Sequence, residues 1–224
     1  MNRPALLILL SLAALPATAA ERRFAASGFE KVAVSGADDV TIQQGNGFSV
    51  VAAGAQSDLD RLEIKVEGGV LQIGRKSSMW SWGKDVAFTV TMPALRGIAV
   101  SGSADVRADK GAAELFEVRL SGSGNVAVAN LDAKTANVSV SGSGDVRLAG
   151  RCGAQNVKVA GSGDVDLSGL ACVNSAISIA GSGNVMARAS GQAAVSIAGS
   201  GDVTITGGAK CVKKVAGSGE VRCS

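Results

Sequence analysis

The segment VSVSGSGDVRL, residues 138–148, contains the pattern that decides the fold. Valines alternate with serines before the corner SGSGDV, and Val146 and Leu148 alternate with Arg147 after it. A period of two is typical of a strand that buries one face. The two glycines interrupt the strand because glycine allows positive φ or close backbone approach. The segment therefore predicts a strand, a tight corner and a second strand.

This hexapeptide recurs along the chain at a near-constant interval. Its seven copies begin at residues 101, 121, 141, 160, 180, 198 and 216, and a variant, SGADDV, begins at residue 35. The steps are 20, 20, 19, 20, 18 and 18 residues. A meander would place successive turns at opposite ends, with no need for one shared turn sequence. The repeat instead predicts an all-β, single-domain parallel β-helix with right-handed coils of about 18–20 residues.

Apolar residues that flank the corners define the expected interior of the coils. Stacked parallel strands would place equivalent residues about 4.8 Å apart. The composition suits this narrow core, since the chain has 30 Gly but five Phe, two Trp and no Tyr. The predicted inward-facing residues are Val157, Val159, Val165, Leu167, Ile177, Ile179, Val195, Ile197, Val203 and Ile205.

The amino-terminal region is less regular than the repeats. We predict a signal peptide at residues 1–20, from Arg3, the apolar run that follows and the small residues near position 19. That run of about ten residues is too short to span a bilayer, and no later stretch resembles a transmembrane segment. The predicted β-helix domain covers residues 21–224. Residues 21–100 would form irregular first coils and a cap, and residues 101–224 the regular repeats.

Strands are also predicted within the irregular region. Turns are expected at residues 45–47 and 68–69, where glycines cluster. We expect these strands to cover the open end of the stack, because an uncovered terminal coil would expose an aggregating edge. The predicted strands cover residues 29–34, 40–43, 48–52, 62–66, 70–73 and 86–92.

Charge and composition exclude several classes of function. The chain has no His, so Ser-His or Cys-His nucleophile pairs and the common zinc sites are absent. A net charge of +3, or +2 without Arg3, favours neither nucleic acid nor an anionic membrane. We expect no cofactor, no metal and no nucleic-acid partner.

An acidic or amide residue follows each Gly-Ser-Gly corner, so stacking should place these residues in one column. Neighbouring carboxylates would repel by about 1 kcal/mol in a water-like dielectric, which a bound cation would relieve. We favour a turn ladder in which each side chain bonds the backbone of its own turn. Calcium repeats of the GGxGxD kind have a period of nine, so any calcium effect should be weak. The column comprises Asp39, Asp105, Asn125, Asp145, Asp164, Asn184, Asp202 and Glu220.

The same column is the one candidate for catalysis. A carbohydrate-active enzyme would use two of its carboxylates in a cleft. No pocket signal accompanies the column, and aromatic platforms for sugars are scarce. The Gly-Ser-Gly corners lack the helix and the Lys of a phosphate-binding loop. We therefore expect no enzyme and no catalytic residues.

Two tryptophans form a candidate ligand platform. Trp80 and Trp82 lie two positions apart and would project from one face of an extended segment. They would bind a glycan or a partner protein there. Alternatively, they cover the end or a groove of the solenoid.

Four cysteines in an exported chain favour disulfides over metal. Cys152 and Cys172 each lie nine residues before a repeat glycine, so adjacent coils should bring them together. Cys211 and Cys223 then pair by elimination.

Residues 28–42 (GFEKVAVSGADDVTI), residues 91–106 (TMPALRGIAVSGSADV) and the SGSGDV corners together resemble the head GIN domain family of putative auto-transporter adhesins. The resemblance covers nearly the whole chain after the signal peptide. It implies a β-helix shaped like pectin-lyase-like folds without their catalytic residues, and an adhesive role.

The residues and the resemblance together favour a non-catalytic exported β-solenoid, an adhesion or cell-envelope binding module. Its partner would be a glycan or an envelope protein, and its location the periplasm, the extracellular space or the cell surface. The alternatives are a carbohydrate-active enzyme that uses the acidic column, and a purely structural periplasmic protein. The residues specify no particular ligand and no oligomeric state.

Overall fold

A computed structural model of the protein describes residues 20–76 and 86–224. Within these ranges the chain forms 18 strands and a short helix, α1 (Gln56–Leu59), between β4 and β5. No helix in the described ranges has the length and hydrophobicity needed to span a bilayer. The strands are β1 (Ala20–Phe24), β2 (Lys31–Gly36), β3 (Asp39–Gln44), β4 (Ser49–Gly54), β5 (Leu62–Glu67), β6 (Val70–Arg75), β7 (Ala87–Met92), β8 (Gly97–Gly102), β9 (Asp105–Ala108), β10 (Gly111–Gly122), β11 (Asn125–Gly142), β12 (Val146–Gly161), β13 (Val165–Gly181), β14 (Val185–Ala189), β15 (Gln192–Gly199), β16 (Val203–Thr206), β17 (Lys210–Gly217) and β18 (Val221–Cys223).

Strands β8 to β18 form parallel coils that stack in register. The corner glycines align from coil to coil, with Gly122 opposite Gly142, Gly142 opposite Gly161 and Gly161 opposite Gly181. Each corner therefore returns to the same edge of the molecule. The prediction of an all-β solenoid is confirmed, with about six turns in a single domain.

In the six corners that contain Gly-Ser-Gly, the two glycines have different physical roles. Gly142 adopts a φ of 124°, a conformation that residues with a side chain rarely adopt. Gly144 has no positive φ, but a Cβ there would lie far too close to the carbonyl oxygen of Gly124 in the preceding coil. The Gly122 carbonyl oxygen accepts hydrogen bonds from the N–H groups of Ser143 and Gly144, at 2.9 and 3.1 Å. A Gly-Ser-Gly corner stacked on another one thus requires one glycine for its conformation and one for space, whereas Ala104 takes the second position in the coil that stacks on the irregular first corner.

Aliphatic ladders fill the interior of the stack. All ten predicted inward-facing residues are buried, each at most 3% exposed. The bulkiest fully buried side chains include Phe29, Phe88 and Phe116. Small β-branched residues at a fixed spacing therefore close-pack, as the composition predicts.

The amino-terminal strands do not stack in chain order. Strand β2 pairs in parallel with β6 on one side and with β8 on the other, and β3 lies likewise between β7 and β9. Gly36 is opposite Gly102, although 66 residues separate them in sequence. In chain order, the second coil of the stack (β2 and β3) therefore comes first, and the outermost coil (β6 and β7) follows it. Strands β8 and β9 then pair with the other side of the second coil.

Beyond the outermost coil, the pairing becomes antiparallel. Strand β4 pairs with β7, β5 with β6, and β1 with β4, all antiparallel. Gly68 and Gly69 reverse the chain between β5 and β6, with φ values of 57° and 76°. Positive φ at both central residues matches the tight turn that joins antiparallel strands. Each strand predicted in this region is present, and a capping role for residues 21–100 stays a prediction.

The carboxyl-terminal coil, β17 and β18, pairs with the stack on one side only among the described strands. Lys213 occupies the position of Val195 in the inward-facing ladder and donates a hydrogen bond to the Val221 carbonyl oxygen at 3.3 Å. A charge at an inward position disfavours further strand pairing. Disulfides join Cys152 to Cys172 and Cys211 to Cys223, with Cα separations of 4.5 and 6.7 Å.

Replacing Cys211 and Cys223 with serine should loosen this coil. The disulfide closes a short loop, so we expect its loss to cost about 2 kcal/mol. Relative to the wild type, hydrogen exchange of this variant should show a larger increase in amide exchange rate in β17 and β18 than in β12 and β13. The matched control is the double serine variant of Cys152 and Cys172, which lie inside the stack. Unchanged protection of β17 in the first variant would contradict the expectation.

Candidate binding surface

The structure places the eight predicted corner residues in one continuous column. In six of the seven steps, a side-chain oxygen accepts the backbone N–H of the equivalent residue in the next coil. For example, the Asp164 N–H donates to Asp145 Oδ1 at 2.9 Å, and the Asn184 N–H to Asp164 Oδ1 at 2.8 Å. In the remaining step, Asn125 Nδ2 donates to Asp105 Oδ1 at 2.7 Å. The expectation that each side chain bonds its own turn is wrong, because the bonds link successive coils.

This bonding gives the column a structural role. The oxygen that points toward the next coil is engaged, and the N–H donors offset the repulsion between neighbouring carboxylates. Among the described residues, no group of three or more Asp, Glu or Cys side chains has the arrangement of a metal site.

Two substitutions of Asp145 test whether its side chain holds successive coils together. An amide oxygen also accepts an N–H, as Asn184 does from Asp202 at 3.0 Å. We therefore expect Asp145→Asn to change the free energy of unfolding by less than about 0.5 kcal/mol. Asp145→Ala should cost about 1 kcal/mol, because the Asp164 N–H loses its acceptor. Urea unfolding measures both, and equal losses would contradict the bonding role.

An open groove lies beside the column, on the face that follows the corner. This acidic groove has a volume of about 640 Å³. Its ion pairs join Arg107 to Asp105 at 3.1 Å and Arg147 to Asp166 at 3.0 Å. Four carboxylates against two guanidinium groups leave it net negative. The charged and polar residues that line it are Asp105, Arg107, Asn125, Asp145, Arg147, Asp164, Asp166 and Asn184.

A second open groove, of about 690 Å³, lies on the face that precedes the corner. We call it the basic groove, because its lining contains three cationic side chains and one carboxylate. Two columns of outward-facing residues form it, one residue per coil from β10 to β17. The first column is Arg119, Ser139, Lys158, Ser178, Ser196 and Lys214, and the second is Glu117, Asn137, Asn156, Ala176, Ala194 and Val212.

At the amino-terminal end of the basic groove, two cations neutralise the carboxylate of Glu117. Lys31 Nζ lies 3.0 Å from Glu117 Oε2, and an Arg119 Nη2 atom lies 3.1 Å from Glu117 Oε1. The hydrogen bond from Lys31, with the charge of Arg119, holds the pKa of Glu117 below its ordinary value. Glu117 therefore stays ionised and fully compensated, so it does not offset the other cations of the groove.

Further along the groove, two lysines have no partner among the described residues. Within residues 20–76 and 86–224, Lys158 and Lys214 form no ion pair, and both side chains are exposed. Asn156 Nδ2 donates to Asn137 Oδ1 at 2.9 Å, which leaves the other amide hydrogens of both side chains to solvent. The first column of the groove is therefore a row of hydrogen-bonding and cationic groups, one per coil, whereas the second column becomes apolar at Ala176, Ala194 and Val212.

One polar cluster was missed by the sequence patterns. Asp38 and Asp58 are 1% and 6% exposed, and Arg75 bridges them. Arg75 Nε donates to Asp38 Oδ2 at 2.8 Å, and the Val86 N–H donates to Asp38 Oδ1 at 3.0 Å. Asp38 stands at the fourth corner position, where every later copy has Ala or Gly. That departure from the repeat was the available signal.

Two predicted features lie outside the described residues. These are the Trp80 and Trp82 platform and almost all of the signal peptide at residues 1–20.

Residues 28–209 match the family model described as "Putative auto-transporter adhesin, head GIN domain". The match covers most of the chain. The protein belongs to this family. The family named from the sequence resemblance is therefore confirmed. No curated protein matches this head GIN domain chain significantly.

Solved structures share the fold of this head GIN domain protein. A putative adhesin from Bacteroides fragilis has a TM-score of 0.88 and 20% identity, covering 93% of this chain and 98% of its own. A putative adhesin from Parabacteroides merdae has a TM-score of 0.73 and 18% identity, covering 93% and 97%. A putative lipid binding protein from Parabacteroides distasonis has a TM-score of 0.73 and 20% identity, covering 93% and 98%. At these identities, the similarity shows the fold alone.

Proposed function

We propose that the protein is a non-catalytic, exported binding module of the cell envelope or cell surface, which holds a linear glycan against the grooved faces of its solenoid. The observation that carries this proposal is the pair of open grooves that cross successive coils, each lined by polar side chains repeated once per coil. A linear polymer presents equivalent groups at regular intervals, so it suits such a surface.

Two further observations support export and adhesion. Both disulfides are of the kind that persists in oxidising compartments, and the predicted signal peptide at residues 1–20 would direct the chain there. The family is described as an adhesin family. An adhesin acts by binding surface polymers or proteins, which agrees with a grooved and polar exterior.

Catalysis and lipid binding receive less support. In most residues of the corner column, one side-chain oxygen accepts a backbone N–H group from the next coil, so this oxygen helps to hold the coils together. A lipid tail requires an apolar cavity. In the described residues, buried aliphatic side chains fill the space between the strands. The outer grooves are therefore the stronger candidates for the binding surface.

A glycan array combined with an oligosaccharide cleavage assay tests the proposal. We expect binding to at least one class of linear glycan, with no cleavage of the bound ligand. Cleavage that Asp145→Asn or Asp164→Asn abolishes would show a carbohydrate-active enzyme instead. Absence of binding to every glycan would favour a purely structural role.

A further inference from the structure

We propose that the basic groove binds a linear acidic polysaccharide, laid along the stack so that its carboxylate or sulfate groups meet Arg119, Lys158 and Lys214. This inference rests on the proposed glycan-binding function and assigns the groove and the class of ligand.

Charge is the first reason. Several cations on other faces are paired, as Arg151 is with Asp132 and Lys134 with Glu114. In the basic groove, Lys158 and Lys214 have no anionic partner among the described residues. Cationic side chains in one concave face reinforce each other's potential and attract an anionic ligand. The missing counter-charges are those that an acidic polymer would supply.

The spacing of the cations is the second reason. Register pairing places Arg119, Ser139, Lys158, Ser178, Ser196 and Lys214 on successive coils. At about 4.8 Å per coil, Arg119 and Lys158 lie about 10 Å apart, and Lys158 and Lys214 about 14 Å apart. The whole column extends about 24 Å, which is the length of several sugar units. Separated charges on a line suit a polymer with spaced anionic groups better than a compact anion.

Neutral groups between the cations complete the site. The hydroxyls of Ser139, Ser178 and Ser196 form no hydrogen bond with another described residue. Hydroxyls both donate and accept, so they can pair with the hydroxyl groups of a sugar chain. Asn137 and Asn156 offer amide groups in the adjacent column.

Other anionic occupants fit less well. Single-stranded nucleic acid binds where aromatic side chains stack on its bases, and none of the described residues that line this groove is aromatic. The acidic groove of a second copy has the complementary charge, so self-association is an outcome that the test must distinguish.

Binding of three polymers by biolayer interferometry tests the inference. The probes are polygalacturonate, which carries carboxylates, dextran sulfate, which carries sulfates, and neutral dextran. We expect binding of at least one acidic polymer, no binding of dextran, and weaker binding as salt rises. The double variant Lys158→Gln/Lys214→Gln should lose about tenfold or more in affinity, which corresponds to about 1.4 kcal/mol.

Two further variants serve as controls. Lys110→Gln/Arg188→Gln removes the same charge from exposed residues outside the groove and should change affinity less than about twofold. Glu117→Gln removes the one carboxylate among the described lining residues and frees Lys31 and Arg119, so it should strengthen binding, an effect that a merely structural role would not produce. Circular dichroism and thermal melts check that each variant folds.

Four results would overturn this inference alone. One is equal binding of acidic polymers by the groove variant and the wild type, and another is equal loss in the control variant. A third is salt-sensitive dimerisation in light scattering that the groove variant abolishes, because it would place a second copy in the groove. The fourth is binding of neutral glycans alone on the array, which would leave the proposed function intact. Absence of binding to any glycan would overturn both proposals.

Discussion

Gly144→Ala is expected to destabilise the solenoid by about 4 kcal/mol or more. The new Cβ would lie well under 3.0 Å from the Gly124 carbonyl oxygen, and under 3.0 Å from a methyl group of Leu120. Overpacking a core usually costs about 1–3 kcal/mol because side chains rotate away. Here the main obstacle is backbone, which can yield only if two hydrogen-bonded coils separate. Urea unfolding measures the loss.

Gly47→Ala is the matched control for this prediction. A Cβ at Gly47 meets no atom within 4 Å, and its φ is not positive. Its free energy of unfolding should change by less than about 0.5 kcal/mol. Hydrogen exchange should also show loss of protection beside the corner in Gly144→Ala, in β11 and β12, and none in the control. Wild-type stability in Gly144→Ala would show that the coils are not packed as closely as the register implies.

Removing Arg75 is expected to be about as damaging. Arg75→Met would leave the carboxylates of Asp38 and Asp58 together without their guanidinium partner, at 1% and 6% exposure. Breaking a buried ion pair by deleting one partner costs about 3–5 kcal/mol, since the remaining charge is uncompensated. The loss should concentrate in the amino-terminal strands, because the cluster joins β6 and α1 to the first corner. Urea unfolding and hydrogen exchange of β4 to β7 measure it.

An exposed ion pair provides the comparison. The side chains of Lys134 and Glu114 are 76% and 81% exposed, so Lys134→Ala should cost less than about 0.5 kcal/mol. The double variant Arg75→Met/Asp38→Ala should lose less stability than the sum of its two single variants, because it removes one of the two carboxylates that Arg75→Met leaves uncompensated. Additive losses would mean that Asp38 and Arg75 do not act as a pair.

Local repetition explains why the regular part of the fold could be predicted. The SGSGDV corners and their alternating flanks occur in nearly every coil, so one segment predicts its neighbours. The same spacing brings Cys152 beside Cys172 and aligns the corner column. The direction of the column's hydrogen bonds was not predictable, because a side chain at a corner can reach either its own turn or the next coil.

The basic groove could not be predicted from the periodic sequence. Arg119, Lys158 and Lys214 are ordinary exposed cations in the sequence, separated by 39 and 56 residues. They form a row because equivalent residues stay aligned from coil to coil, although the coils have three different lengths. Sequence periodicity could have aligned them, but it does not show that this face is concave or that these lysines lack partners.

By itself, the sequence determined the parallel stack, its coil length, its buried ladder, both disulfides and the family, because each depends on contacts between equivalent residues of successive repeats. Only the tertiary structure decided the order of the amino-terminal coils, the Asp38–Arg75–Asp58 cluster and the two grooves. The coil order and the cluster depend on contacts between segments far apart in the sequence, such as Gly36 beside Gly102 and Asp38 beside Val86, and the grooves depend on the shape of the outer faces. A local pattern carries no information about such pairings, because the chain leaves the stack and returns to it between them.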